Sequence, residues 1–180
     1  LSPFQYFGVT DTVDLRDLRW VRGGYEKSAL TNLYTFVRVS AERRADLIIR
    51  SILNYVTDIE AVKGLGFCVS VEHARFMAEY FNDHNISSIH LTAASADDER
   101  NTAKVRLAKG EIRFIFVVDL YNEGVDIPEI NTVLFLRPTE SLTVFLQQLG
   151  RGLRLAENKN CLTVLDFIGQ AHAKYSFEEK

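Results

Sequence analysis

The sequence holds few residues that could build a metal centre or a disulfide frame. Two cysteines, Cys68 and Cys161, and four histidines are all it has in 180 residues. Each cysteine lies inside an apolar, strand-like segment, so both are read as buried small hydrophobes of a reducing compartment, and a cytoplasmic location is expected. The histidines are scattered, so no bound metal is expected in this chain. No apolar run approaches the ~20 residues that span a bilayer. No signal-peptide pattern opens the chain, and no membrane partner is expected. An excess of positive charge is missing as well, since 21 Lys and Arg stand against 24 Asp and Glu for a net charge of −3. That balance excludes wholesale electrostatic binding to nucleic acid and confines any such binding to one local strip. A lysine-bearing phosphate loop is also absent. Gly23-Gly24-Tyr25-Glu26-Lys27-Ser28 comes nearest, but it lacks the G-x-x-x-x-G-K-[ST] spacing and no strong strand feeds it.

What is present is ordinary for a globular domain. Hydrophobic residues make up 47% and charged residues 25%, and the length suits one large domain with a single core. The chain opens on Leu1 and stops at Phe177-Glu178-Glu179-Lys180 without a tapering tail, so a piece of a longer protein is expected. Residues 4–9 read as a first strand and 27–34 as a short helix. Ser40 is expected to cap a helix whose Ala45, Ile48, Ile49, Ile52, Leu53 and Val56 face a core. That helix reads as scaffold alone. From Gly64 onward strands and helices alternate. Strands are expected at 66–69, 87–91, 113–118, 132–136 and 162–165. Ser70 should cap the helix bearing Val71 to Phe81. Ser95 with Asp98 should open a second by a capping box, and Gly110 should stop it. Apolar strands separated by helices predict an α/β domain with a mostly parallel sheet covered on both faces.

Ligands collect at the carboxyl ends of such strands, which selects three stretches. Ser70-Val71-Glu72-His73 offers a hydroxyl at a helix N-terminus, where backbone N–H groups and the dipole favour phosphate. Asp119 to Pro128 leaves a very apolar strand, with Gly124 permitting close backbone approach. Gln147-Gln148-Leu149-Gly150-Arg151-Gly152-Leu153-Arg154 ends a helix for which Thr139 and Ser141 are both candidate N-caps. At about 100° per residue its leucines fall on one side, and Gln147, Arg151 and Arg154 on the other. Arginines so spaced suit the oxygens of a transferring phosphoryl group.

Together these stretches resemble motifs of superfamily 2 helicases of the DEAD/DEAH-box type. Residues 64–170 are similar to the C-terminal, RecA-like motor domain of that group. Gln147 to Arg154 resembles motif VI (Q-x-x-G-R-x-x-R), Asp119 to Pro128 motif V, and Gly66-Phe67-Cys68-Val69-Ser70 motif IV. His90-Leu91-Thr92 with Glu99-Arg100 matches the segment between them. The two ends of the chain resemble bacterial helicases related to type III restriction subunits. Leu153 is a departure, because many relatives carry glycine there. The resemblance implies a single RecA-like three-layer domain over 1–180. Residues 1–63 form its N-terminal strand and lead-in helices, and residues 64–180 its motif-bearing core.

The resemblance also implies roles. Arg154 is the arginine finger, Arg151 its companion on the ATP γ-phosphate, and Gln147 a coupling residue. Gly124 and Asp126 line the nucleotide pocket, with Asp126 on the ribose. Ser70, Val71, Thr92, Asp119 and Leu120 hold a nucleic-acid strand. ATP and Mg2+ would be held mainly by an N-terminal RecA-like domain of the same polypeptide. The nucleic acid is expected to be DNA rather than RNA, and the chain alone is expected to be inactive. Two rival readings stay open at this point. One is a magnesium-dependent phosphohydrolase built on Asp119 and Asp166, and the other a non-catalytic RecA-like binding domain.

Overall fold

Phe114-Ile115-Phe116-Val117 is apolar at every position, and a strand of that composition has to be covered on both faces. A computed structural model describes residues 4–11, 20–21, 24–25, 27–118, 129–137 and 162–168, and it buries this strand along its whole length. In chain order the elements begin with β1 (Phe4–Thr10), β2 (Trp20–Val21), β3 (Gly24–Tyr25), α1 (Lys27–Thr31), a π-helical turn (Asn32–Phe36) and α2 (Arg38–Tyr55). A 3₁₀ turn (Ile59–Ala61) leads into β4 (Gly64–Phe67), α3 (Val71–Asp83), β5 (Ser88–His90) and α4 (Asp97–Lys109). Then follow β6 (Phe114–Val117), β7 (Thr132–Phe135) and β8 (Leu162–Ile168). Six strands make one sheet in the order β1-β8-β7-β4-β6-β5, and every neighbouring pair is parallel. β2 and β3 form a separate antiparallel pair, so Gly24 lies within a short strand.

Period-two alternation sorts the core into two layers. Phe114, Phe116, Leu134, Leu136, Leu165 and Phe167 pack with Ala45, Ile48 and Ile52 of α2 and with Ala74, Met77 and Phe81 of α3. On the other face Leu65, Phe67, Ile115, Val117, Val133 and Phe135 pack with Ala103 and Leu107 of α4. The expected three-layer α/β architecture is therefore observed. β1 pairs with β8 from Phe4 opposite Leu162 to Thr10 opposite Ile168. The lead-in segment is thus woven into the same sheet as the strands that follow it. The same pairing explains why β8 runs to Ile168, beyond the expected residue 165, since β1 offers it a partner throughout.

Two glycines make room in the first layer. The Phe114 and Phe116 rings of β6 stack at 5.9 Å, and Phe81 meets each edge-on at 5.3 and 4.9 Å. They lie across β4, where a Cβ on Gly66 would stand 2.5 Å from Phe116 Cδ1, and one on Gly64 would run into the Phe114 ring. Gly66→Ala should therefore destabilise the domain by about 1–3 kcal/mol through overpacking, read as a lower urea midpoint with unchanged slope. An unchanged midpoint would show that the rings have room to move.

Local chemistry departs from expectation at three points. Ser40 is no cap, because α2 begins at Arg38 with Val37 before it and no side-chain cap. The reason is the π turn, whose closing Val37 N–H reaches Asn32 O at 2.8 Å and hands the chain directly to α2. Ser95 does not form the capping box either. α4 starts after Ala96, and the Ser95 hydroxyl instead accepts from the Thr92 N–H at 3.0 Å. Leu53, expected on the core face, is 55% exposed, while Ile52 beside it is buried. Gly110 does stop α4, in the left-handed region at φ 79°.

Candidate functional site

All six strands run the same way, so their carboxyl ends share one edge of the sheet, and the backbone ladder carries each loop a step beyond its strand. Cys68 N–H donates to Val117 O (2.8 Å), Leu91 N–H to Phe116 O (3.0 Å) and Leu136 N–H to Phe67 O (3.0 Å). Beyond β4, Ser70 turns extended (φ −153°, ψ 169°) and N-caps α3 as expected, its Oγ accepting from His73 N–H at 3.3 Å. It also accepts from the Thr31 hydroxyl at 2.8 Å. Both lone pairs of Ser70 Oγ are thereby used, and the residue is only 2% exposed. Val71, the first residue of α3, is half-buried. Beyond β5, Thr92 is braced by a side chain that sequence reasoning did not assign. The guanidinium of Arg100 donates to the carbonyls of Thr92 (2.8 Å), Ala93 (3.0 Å) and Ser95 (3.1 Å). The loop's own bonds, Ala94 N–H to Thr92 Oγ1 (3.1 Å) and Ser95 N–H to Thr92 O (3.1 Å), complete the turn.

Behind these loops lies a buried polar cluster that composition and periodicity did not announce. Arg44 of α2 donates through Nε to Asp11 Oδ2 at 2.6 Å and through Nη2 to Leu136 O at 2.8 Å. Its Cζ sits 3.7 Å from the centroid of the Tyr34 ring. Burial is the largest influence and works against the charge of Arg44, but the Asp11 carboxylate, with Tyr34 and Cys68 beside it, leaves the guanidinium above its ordinary value. His73 is buried against Tyr34, with ring centroids 5.0 Å apart. Its Nδ1 accepts from the Val69 N–H at 3.1 Å, which assigns the proton of the neutral ring to Nε2. Burial, and then Arg44 and Arg137, keep that ring well below its ordinary value, so it stays neutral. The one available signal was Arg44 itself, a charge placed at i−4 to Ile48 on the apolar stripe of α2.

Asp166 lies within β8, 8% exposed, and its Oδ2 accepts from the Tyr6 hydroxyl at 2.6 Å. That bond, with burial ahead of it, pushes the Tyr6 hydroxyl well above its ordinary value. A carboxylate so engaged inside a strand is poorly placed to hold magnesium, which weakens the phosphohydrolase reading. Among the described residues no three His, Cys, Asp or Glu side chains gather to hold a metal ion, and no helix is long and apolar enough to cross a membrane. Of the sequence-selected residues, Ser70, Val71 and Thr92 stand at the carboxyl edge. Asp119, Leu120, Gly124, Asp126, Gln147, Arg151 and Arg154 lie outside the described residues, as do the candidate caps Thr139 and Ser141. The flanks of those stretches are described. Val118 follows β6 and Arg137 follows β7, with Arg137 Nη1 donating to Val118 O at 3.5 Å.

Comparison with known proteins supplies the family. The helicase conserved C-terminal domain matches residues 47–156. A "51.5 kDa protein" of a Lactococcus phage (isolate 7-9) is 27% identical over 173 residues, covering 96% of this chain and 36% of its own length. The "Putative ATP-dependent helicase IRC3" of Saccharomyces cerevisiae is 26% identical over 169 residues, covering 94% of this chain and 24% of its own. This chain therefore spans little more than a third, or about a quarter, of those relatives. Among solved structures, the E. coli DEAD-box protein SrmB shares the fold with a TM-score of 0.60 at 17% identity, over 93% of this chain and 78% of that one. With well over half of its length matched, on a RecA-like parallel sheet, this chain belongs to the helicase conserved C-terminal domain family of the superfamily 2 helicases.

Proposed function

We propose that this chain is the second motor domain of an ATP-dependent nucleic-acid helicase or translocase and that it holds only half of the active site. The observation that carries the reading is the family match over residues 47–156, on a sheet whose carboxyl edge gathers the Ser70 and Thr92 loops. In this reading Arg154 reaches the γ-phosphate of ATP across a cleft as the arginine finger. Arg151 accompanies it, and Gln147 couples the cleft to the rest of the motif. Asp126 and Gly124 border the nucleotide, while Mg2+ and most of the triphosphate belong to the first domain. Opening and closing of the two domains would convert hydrolysis into strand movement.

Ser70, Val71, Thr92, Asp119 and Leu120 would form this domain's share of the nucleic-acid track. Both lone pairs of Ser70 Oγ are committed inside the protein. A phosphate is itself an acceptor, so at this loop it would be met by the leading N–H groups of α3, which have no intrahelical acceptor, and by the Ser70 O–H, which neither of those bonds uses. Contacts of this kind need few lysines, which agrees with the net charge of −3.

The half-site is tested by assaying purified residues 1–180 beside the parent protein. The chain alone should release no phosphate from ATP above background, with or without nucleic acid. The parent should hydrolyse ATP faster when nucleic acid is added, and more with single-stranded DNA than with RNA. Sustained turnover by residues 1–180 would falsify the half-site. Stronger stimulation by RNA would reverse the choice of strand and leave the motor reading intact.

A further inference from the structure

Each point held by the Arg44 guanidinium lies just past the carboxyl end of a strand or on the loop that leaves one. Asp11, on Nε at 2.6 Å, is the residue after β1, and Leu136, whose carbonyl takes Nη2 at 2.8 Å, is the residue after β7. Nη1 stands 3.5 Å from His73 Nε2, and that ring holds the Val69 N–H, two residues after β4. The next residue along from Leu136, Arg137, reaches Val118 just past β6. With His73 Nε2 carrying the ring's proton, the approach of Nη1 to it is packing alone. The planar fork, stacked on Tyr34, therefore bonds the ends of β1 and β7, reaches β4 through Leu136, whose N–H donates to Phe67 O at 3.0 Å, and reaches β6 through Arg137.

Burying this charge is costly compared with filling the same space by an apolar side chain. An apolar residue would leave the two ends it bonds without a common direction, because only a guanidinium offers rigid, divergent donors in one plane. Lysine would keep the charge and lose the plane. The loops that start from these ends are the ones the motor reading uses. Ser70 and Val71 follow β4, the Asp119 stretch follows β6, and the stretch leading to Arg154 follows β7. We propose that Arg44 is a positioning residue of the motor. It touches neither ATP nor nucleic acid, and it fixes the mutual register of the strand ends that present the residues that do. The role rests on the motor reading above.

The test compares the parent protein with its Arg44→Lys variant in nucleic-acid-stimulated ATP hydrolysis, well below the melting temperature of both. We expect kcat to fall at least tenfold, with KM for ATP within threefold and a cooperative melt retained. Hydrogen exchange at the Leu136 amide, which donates to Phe67 O, should accelerate at the same time. Should Arg44→Lys fail to fold, Asp11→Asn is judged by the same readouts, since it replaces the charged acceptor of Nε at the β1 end by a weaker, neutral one. A folded variant with kcat within threefold of the parent overturns the proposal. So does an activity loss that only follows the unfolded fraction, or failure of both variants to fold, because the cluster is then a stability element. A parent protein without nucleic-acid-stimulated hydrolysis would instead remove the motor reading itself.

Discussion

In the parent protein, Arg154→Ala should lower kcat for ATP hydrolysis by roughly 10³ or more and leave ATP affinity within a few-fold. The size of the effect follows from what an arginine finger does. It meets charge that develops on the transferring phosphoryl group, so its removal costs the transition state about 4 kcal/mol and costs the bound ground state little. Binding is spared because the first domain is expected to hold most of the nucleotide. Arg154→Lys should recover only a small part, since a point charge on a flexible stem does not reproduce the planar fork. Single-turnover hydrolysis together with equilibrium binding of a nucleotide analogue separates the two quantities. Near-normal turnover by Arg154→Ala would take this residue out of the mechanism. Loss of binding in step with turnover would make it an ordinary phosphate ligand.

Arg44→Met should be the most damaging single change to the described core, at about 3–5 kcal/mol. The side chains of Arg44 and Asp11 are 1% and 0% exposed. Removing the cation leaves the Asp11 carboxylate without this partner and takes a donor from the Leu136 carbonyl. Tyr34 loses the guanidinium stacked over its ring. The methionine fills much of the vacated volume, so the loss comes from uncompensated polarity more than from a cavity. A double variant, Asp11→Leu with Arg44→Met, should therefore recover most of the stability, since an apolar pair of similar bulk avoids burying the Asp11 carboxylate without its guanidinium. Urea unfolding of the two variants against the unaltered chain decides the matter. If the double variant is no better than Arg44→Met alone, the pair acts through geometry and not through charge compensation.

Much of this protein can be read from its sequence, for reasons that are local. β6 is uniformly apolar because both of its faces are covered, and that composition alone predicts a parallel sheet between helix layers. Ser70 before an apolar helix and Gly110 after a charged one mark their boundaries, because capping and the left-handed conformation depend on the residue itself. The motif stretches at Asp119–Pro128 and Gln147–Arg154 are legible as spacing, and the family match covers them from outside the described residues. Where the expectation failed, a competing partner had been invisible. Ser95 answers the Thr92 amide across a turn, and Ser40 is overtaken by a π turn that no periodicity signals.

The pattern of apolar residues was enough to determine the layers, the strand directions and the edge at which ligands would collect, because each depends on neighbours in sequence and on which faces are wet. Tertiary structure alone decided which polar groups meet behind that edge. Asp11, Thr31, Tyr34, Arg44 and His73 are spread over four elements and the ends of strands, and a helix reading sees Arg44 only as one charge among several. Their partnership is a matter of three-dimensional distance. Burial then turns that proximity into a strong preference, since a charge withdrawn from water must find its counterpart wherever the fold brings one within reach.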